Sequence, residues 1–150
     1  MRASRLAWCC IASVLLYASP AVAGEMVELR IETVLATDSS QDFDNRLDDM
    51  RPQLSAFRYH SYRLVQKELR RVGWGTQTDF TLPGGRFLQV VPKEYTNHRI
   101  ALQVMLMEGT SPTPLMSTAL SIRNHGTLFF AGPKHQAGTL IIRIGAAADE

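Results

Sequence analysis

The sequence predicts a mainly β fold, either an antiparallel β-sandwich or a partly open barrel of seven or eight strands, with one N-terminal helix at about residues 44–57. Apolar and polar side chains alternate with period two over residues 27–35 and again over residues 100–106, as they do in half-buried strands. From Gly73 onward, short apolar segments alternate with turn-forming residues. These observations predict sheets joined by hairpins, with a core made by every second side chain.

The helix is predicted from a change of period after the first strand. Apolar residues then follow at spacings of 4, 3, 4 and 3, which places them on one helical face. Asp42 or Asp44 can cap its start. Pro52 would kink a continuous helix, unless the helix starts near residues 48–49 and Pro52 falls in its first turn. The apolar positions are Phe43, Leu47, Met50, Leu54 and Phe57.

Residues 61–72 fit two structures. Leu64, Val65, Leu69 and Val72 can share one helical face, or the segment can be a strand whose alternation slips at a bulge. The β character of the chain that follows favours the strand.

The first 23 residues have the features of a signal peptide. A basic start precedes an apolar run at residues 6–17, and small residues at 21–23 suit cleavage after Ala23. We therefore expect a periplasmic or secreted protein with a single β-sandwich-like domain at residues 24–150. The apolar run is short for a bilayer span, so contact with a membrane is expected only through an uncleaved signal or a partner complex.

Removal of this segment changes the composition of the chain. Cys9 and Cys10 leave with it, so the remaining 127 of the 150 residues must be held together by their core. Loss of Arg2 and Arg5 reduces sixteen basic residues to fourteen, against fourteen acidic ones. A net charge of zero argues against a nucleic-acid partner.

The segment AGPKHQAGT at residues 131–139 resembles a phosphate-binding loop only superficially. Five residues separate Gly132 from Gly138, no lysine follows Gly138, and the next residues are typical of a strand. We predict a hairpin in which Pro133 starts the turn and Gly138 supplies backbone freedom, and no nucleotide site. Lys134 and His135 of this hairpin are candidate contact residues.

Motifs for metal or covalent chemistry are not found. The four histidines lack the i+2 or i+4 pairing of local zinc sites, so no cofactor is predicted. The acidic stretch at residues 38–49 could attract calcium, but Arg46 and Leu47 stand where an EF-hand needs a ligand and a glycine. Capping and a solvated surface are the preferred interpretation of these acids. Without a G-x-S-x-G or S-x-x-K motif, or a cysteine after residue 23, we predict that the protein is not an enzyme.

Three groups of residues carry a resemblance to a group of small exported bacterial domains. It spans about residues 27–146 and implies a β fold and export, and no activity is assigned to that group. The matching residues are turn formers and core apolar residues: Phe80, Leu82-Pro83-Gly84-Gly85, Leu88, Val90 and Pro92; Gly132-Pro133, His135, Gly138 and Leu140-Ile141-Ile142; and Tyr59, Tyr62 and Leu64.

The preferred functional hypothesis is an exported, non-catalytic domain that binds a protein partner of the cell envelope. An exposed edge strand can add a strand of the partner, and Trp74, between two glycines, can grip it. The alternative is a small-molecule or glycan-binding β-domain with a pocket between the helix and the sheet. The candidate partner or ligand contacts are Trp74, Lys134 and His135.

Overall fold

Eight strands in two antiparallel sheets dominate the computed structural model, which describes residues 25–149. The predicted signal peptide (residues 1–23), its cleavage point and both cysteines lie outside the described residues. The strands are β1 (Met26–Thr37), β2 (Ser61–Gly73), β3 (Thr78–Leu82), β4 (Arg86–Thr96), β5 (Arg99–Glu108), β6 (Met116–Arg123), β7 (Gly126–His135) and β8 (Gly138–Ala148). Sheet A has the order β2-β1-β8-β7 and sheet B the order β3-β4-β5-β6.

The two sheets follow an up-and-down order. Most consecutive strands are neighbours, and β1 also pairs with β8. Within residues 25–149, no hydrogen-bonded ladder joins β2 to β3 or β6 to β7, so the cycle is open at two corners. The predicted mainly β, antiparallel fold of seven or eight strands is confirmed, and the two sheets are arranged like a sandwich.

The main core lies between the sheets and is built from alternate side chains of each strand. Removal of these apolar side chains from water is the main force that holds the sheets together. Sheet A contributes Val27, Leu29, Ile31, Val72, Ile142, Ile144, Ala146 and Ala148, and sheet B contributes Phe80, Leu82, Leu88, Val90, Ile100, Leu102, Val104, Leu106 and Ile122.

A second apolar cluster covers the outer face of sheet A near the end of β1. It is formed by the connection from β1 to β2, which contains a 3-10 turn (Asn45–Met50), the helix α1 (Arg51–Leu54) and a second 3-10 turn (Ser55–Phe57). We call these residues, 45–57, the helical segment. Its buried residues Leu47, Met50 and Leu54 pack with Val34, Ala36, Tyr62 and Ile141 of the sheet.

The predicted helix over residues 44–57 does not form as one continuous helix. The α-helical part is four residues long, and Pro52 lies in its first turn because proline there removes no intrahelical hydrogen bond. Arg58 ends the segment in the left-handed region, with φ 60°. The predicted apolar face is nevertheless the face that packs on the sheet, since Leu47 and Leu54 are fully buried.

Residues 61–72 belong to a strand, as preferred. The register of β2 against β1 shifts between Thr33 and Val34, which face Gln66 and Leu64. Val65 is the additional residue, and the predicted bulge is therefore confirmed.

The AGPKHQAGT segment is a hairpin, but its turn differs from the prediction. β7 continues to His135, and the turn consists of Gln136 and Ala137, with a positive φ of 52° at Gln136. Pro133 lies where the pairing of β7 with β8 shifts, because proline cannot donate to the ladder and a bulge tolerates it. Gly138 is needed for space, since a Cβ there would clash with the carbonyl oxygen of Ala36.

Candidate functional site

An open cavity of about 510 Å³ lies at the end of sheet A where β1 stops and β2 starts. β1 contributes Leu35 and Thr37, β2 contributes residues 61–63, and the β7–β8 turn contributes Gln136 and Ala137. The remaining wall is the loop between β1 and the helical segment. We call this space the loop-end cavity; its volume is in the range typical of small-molecule sites.

An ion pair fixes the loop wall of the cavity to the edge of β2. Arg46 Nη2 lies 2.6 Å from Asp44 Oδ2, and Arg46 Nε donates to both carboxylate oxygens. The Leu64 N–H donates to Asp44 Oδ2 and Arg46 Nη2 donates to the Leu64 carbonyl, at 3.1 Å each. Backbone hydrogen bonds from Asp44 to the Tyr62 carbonyl and from Tyr62 to the Asp42 carbonyl extend this contact. The pair therefore occupies the edge of β2 that faces away from β1, at residues 62–64.

These contacts determine the protonation of the pair. The pKa of Asp44 is held well below its ordinary value of 3.8, chiefly by side-chain hydrogen bonds from Arg46 and then by the Arg46 backbone N–H. The N–H of Leu64 acts in the same direction, and burial opposes it. The same partner raises the pKa of Arg46. Both groups are charged at neutral pH and act as a structural clamp.

Thr37 and Ser39 hydrogen-bond each other and the Tyr62 hydroxyl donates to the Leu54 carbonyl, whereas five other polar side chains of the lining make no hydrogen bond or ion pair with residues 25–149. Asp42, Arg63 and Gln136 supply a carboxylate, a guanidinium and an amide, and Ser40 and Ser61 supply hydroxyl groups. The cavity therefore combines donors and acceptors that a ligand could use.

The second notable surface is the free edge of β2. Beyond Leu64, no backbone group in the described part of the chain pairs with β2 on the side away from β1. β2 has 13 residues and β3 only five, so sheet B cannot follow β2 along its length. We call residues 65–69 the free edge.

Two charged side chains at the β3 end of the free edge, Glu68 within it and Arg70 just after it, point towards the core. Glu68 faces Ile31 and Arg70 faces Leu29 across the ladder, so both side chains lie on the core side of sheet A. Arg70 Nη2 is 3.1 Å from Glu68 Oε2, and Arg70 Nη1 donates to the Asp79 carbonyl of β3. Inward-pointing charges of this kind oppose unspecific pairing of edge strands.

The free edge is partly apolar. Val65 and Leu69 are 39% and 53% exposed, and Lys67 lies between them. Few large apolar residues are this exposed in the described chain, and two of them on five residues of one edge strand form a small contact surface.

A buried charge network connects sheet A to the helical segment. Glu32 is 2% exposed; its Oε2 lies 2.8 Å from Arg143 Nη1 and its Oε1 lies 3.4 Å from Lys67 Nζ. Arg143 Nη1 is also 3.4 Å from Asp49 of the helical segment. Each buried charge has an opposite partner, which is the condition for tolerating it. The network therefore has a structural explanation.

The three residues predicted as contacts do not meet. Trp74 is half-buried against the main core, directly after Gly73, which pairs with Met26. Lys134 faces Thr139, which pairs with Ala36. Ten residues of β1 separate these levels, or about 33 Å at about 3.3 Å per residue. Trp74 therefore lies at one end of the molecule, and Lys134 and His135 lie at the other.

Lys134 and His135 are close to the turn between β3 and β4. Arg86 Nη1 donates to the Lys134 carbonyl at 3.0 Å. A Cβ at Gly84 would lie 3.1 Å from His135 Nδ1, so the histidine ring is close to that turn. His135 is half-buried and Lys134 is exposed, and neither lines the loop-end cavity. Their role in binding stays a prediction.

The acidic stretch at residues 38–49 is largely paired. Asp38 lies 3.1 Å from His60, Asp44 from Arg46 as described, and Asp48 lies 2.8 Å from Arg51. Within residues 25–149, no group of three or more histidine, cysteine, aspartate or glutamate side chains could hold a metal ion. Asp44 is the N-cap of the first 3-10 turn, and Asp38, Asp44, Asp48 and Asp49 form ion pairs, whereas the Asp42 side chain has no partner within residues 25–149.

Sequence reasoning placed a pocket between the helix and the sheet, whereas the cavity lies at the strand ends beside the loop that follows β1. It also missed the exact extent of the free edge. The cavity joins residues 37, 61 and 136, which are far apart in the chain and carry no shared motif. The free edge was named only as a kind of surface. The length of the segment at residues 61–72 was the available signal, since a strand of that length exceeds the five residues of β3.

No described helix, within residues 25–149, is long and apolar enough to cross a membrane. Comparison of the chain with protein-family models, curated proteins and solved structures finds no match.

Proposed function

We propose that this chain is an exported, non-catalytic domain that binds a protein partner of the cell envelope by accepting one of the partner's strands at the free edge of β2. The observation that carries the proposal is the free edge itself, residues 65–69, with Val65 and Leu69 exposed. Unpaired backbone groups on an edge supply hydrogen bonds to an added strand, and alternate side chains supply specificity.

The position of the free edge suits a short partner strand. The Asp44–Arg46 clamp ends it on one side, and the approach of Arg70 to β3 ends it on the other. The added strand would place its own side chains beside Val65 and Leu69, which are the apolar anchors of the surface.

The charge of β2 favours an acidic partner over a second copy of this chain. β2 carries four basic residues, Arg63, Lys67, Arg70 and Arg71, and a single acid, Glu68. Lys67, Arg70 and Arg71 each pair with an acid of this chain, but their side chains remain 57%, 47% and 58% exposed to a partner. Two copies paired along this edge would bring basic side chains opposite each other, which is unfavourable, whereas an acidic strand is complementary.

Export and localisation belong to the same proposal. The signal-like features of residues 1–23 and the resemblance to small exported bacterial domains support a periplasmic or secreted protein. A partner in the envelope is consistent with that location.

Site-specific photo-crosslinking in the cells that make the full chain tests the proposal. A photoreactive residue at Leu69 should give one discrete adduct with an envelope protein. The matched control is a photoreactive residue at Leu115, which is 54% exposed against 53% for Leu69 but lies in the β5–β6 connection. We expect no adduct from position 115.

A second variant examines the chemistry of the surface. Val65→Glu should abolish the Leu69 adduct, because the new carboxylate repels an acidic partner and removes an apolar anchor. An adduct with a second copy of the chain, identical adducts from both positions, or no adduct would each contradict the proposal.

A further inference from the structure

We propose that the loop-end cavity binds a saccharide, an uncharged ligand rich in hydroxyl groups. This site is separate from the free edge of β2 and does not depend on the function proposed for that edge. The class of ligand follows from the size, the net charge and the hydrogen-bonding groups of the cavity.

The cavity is large enough for a ligand of more than one small ring. Its volume of about 510 Å³ lies within the range of about 300–1,000 Å³ that is common for drug-sized ligands. A free amino acid or an inorganic ion would fill only a small part of it. The size therefore favours a di- or oligosaccharide over these smaller ligands.

The charges around the cavity cancel. Asp42 and Asp44 are balanced by Arg46 and Arg63. Asp44 and Arg46 are also engaged with each other and with the backbone of Leu64. A strongly anionic or cationic ligand would gain little net attraction here, so a neutral ligand fits better.

The uncommitted groups match the hydroxyl groups of a sugar. Asp42 can only accept hydrogen bonds, Arg63 can only donate them, and Gln136, Ser40 and Ser61 can do both. Each sugar hydroxyl also donates and accepts, so neighbouring hydroxyls can satisfy the carboxylate and the guanidinium together. Such charge-assisted hydrogen bonds are the strong ones.

Phe43 adds an apolar wall to the cavity, which suits the carbon atoms of a sugar ring. Arg51 holds the phenyl ring, with its guanidinium carbon 3.7 Å from the ring centroid, and Tyr62 packs against it with 5.8 Å between centroids. Because both neighbours fix the ring, the wall is preorganised for binding.

The test uses ¹⁵N-labelled protein purified from cells that express the full chain. Glucose, galactose, mannose, N-acetylglucosamine and their di- to tetrasaccharides are added singly, at up to on the order of 10 mM, which is above the Kd of a weak site. We expect one saccharide to shift the amide signals of residues 39–46, 61–63 and 136–137, and oligomers to bind more tightly than the monomer.

Three variants give the matched comparison. Arg63→Ala and Asp42→Asn should each raise the saccharide Kd at least about tenfold, because each removes a charge-assisted hydrogen bond. Arg123→Ala, which removes an exposed arginine at the last residue of β6, should leave the Kd unchanged. Asp42→Asn keeps the shape of the side chain and the backbone carbonyl that bonds Tyr62, so it tests the site without removing that contact.

Several results would overturn the proposal. They are the absence of shifts with every saccharide, shifts confined to residues outside the cavity, or an unchanged Kd in both cavity variants. Free glutamate and inorganic phosphate serve as probes of the other ligand classes. Tighter binding of either of them at the cavity would reject the saccharide. None of these outcomes bears on the crosslinks from Leu69.

Discussion

Sheets A and B have the same number of strands but are buried differently. On sheet A, consecutive residues such as Val34 and Leu35 of β1, or Ile141 and Ile142 of β8, are all buried. On β5 of sheet B, buried and partly exposed residues alternate from Ile100 to Leu106, and the longest buried run of sheet B, residues 90–92, is half as long as the run at residues 31–36 of β1. The helical segment, which covers only sheet A, accounts for the difference. It also means that a polar residue on the outer face of sheet A can be enclosed.

Substitution of Glu32 should have the largest effect on the free energy of unfolding, and it tests whether the helical segment encloses part of sheet A. Glu32→Ala removes the partner of Arg143, whose side chain is 17% exposed, and should lower the free energy of unfolding by about 3–5 kcal/mol. Glu28 lies on the same strand and face but outside the area that the helical segment covers, and it forms an exposed 3.9 Å pair with Arg30. Glu28→Ala should cost less than about 0.5 kcal/mol. Urea unfolding followed by circular dichroism measures both.

The double variant Glu32→Leu with Arg143→Met distinguishes the loss of a partner from the loss of volume. It should recover much of the stability lost in Glu32→Ala, because apolar residues can replace a buried ion pair at little cost. Equal stability of Glu32→Ala and Glu28→Ala would mean that the two halves of the outer face do not differ.

The variant Leu54→Ala tests whether the helical segment contributes as much to the stability of the protein as sheet B does. Leu54 and Leu102 are 0% and 1% exposed, one in the cover and one in the main core. Either substitution by alanine should lower the free energy of unfolding by about 2–5 kcal/mol, and the two values should be similar because both shorten a buried leucine to alanine. Thermal and urea unfolding provide the comparison.

A much smaller cost for Leu54→Ala would show a loosely attached connection. In that case hydrogen exchange of residues 45–57 would be fast in the wild-type protein as well. We expect slow exchange for the amides of this segment that bond within it, and one cooperative unfolding transition.

Alternation with period two predicted most of the buried side chains of sheet B and of the inner face of sheet A, but β4 departs from it, since Val90, Val91 and Pro92 are all buried. Alternation was misleading where a strand is covered on both of its faces. The run Leu140-Ile141-Ile142 is apolar at both parities, which is typical of strands buried on both faces. The spacing of Leu47 and Leu54 predicted the covering face correctly. One continuous helix does not form, because proline is tolerated in the first turn of a helix but not in its interior. The α-helical part therefore begins at Arg51, next to Pro52.

The candidate site was less predictable, for a physical reason. The loop-end cavity exists because the ends of β1, β2 and the β7–β8 turn meet, and register between distant strands fixes that meeting. Single residues such as Trp74 and His135 were chosen for their chemistry, and chemistry alone contains no information about which end of the molecule they occupy.

The smallest expected effect concerns the clamp that fastens the loop to the edge of sheet A. The pKa of Asp44 is lowered in the folded protein, so its carboxylate adds stability that is fully present above its ordinary value of 3.8. That stability is lost as the pH falls through 3.8 towards the folded pKa. Asp44→Asn, which has no such titration, should be less stable than the wild type at pH 6, and the difference should shrink steadily as the solution is acidified below 3.8.

The difference between the two proteins is the quantity to measure, because other carboxylates titrate equally in both and cancel. Unfolding midpoints at a series of pH values below 6 provide it, and exchange of the Leu64 amide provides a local measure, since that N–H donates to Asp44. At pH 6 the amide should exchange faster in Asp44→Asn than in the wild type. A stability difference that stays constant with pH would show that Asp44 acts only through its shape. The backbone bonds among Asp42, Asp44 and Tyr62, and not the charge of Asp44, would then hold the edge of sheet A.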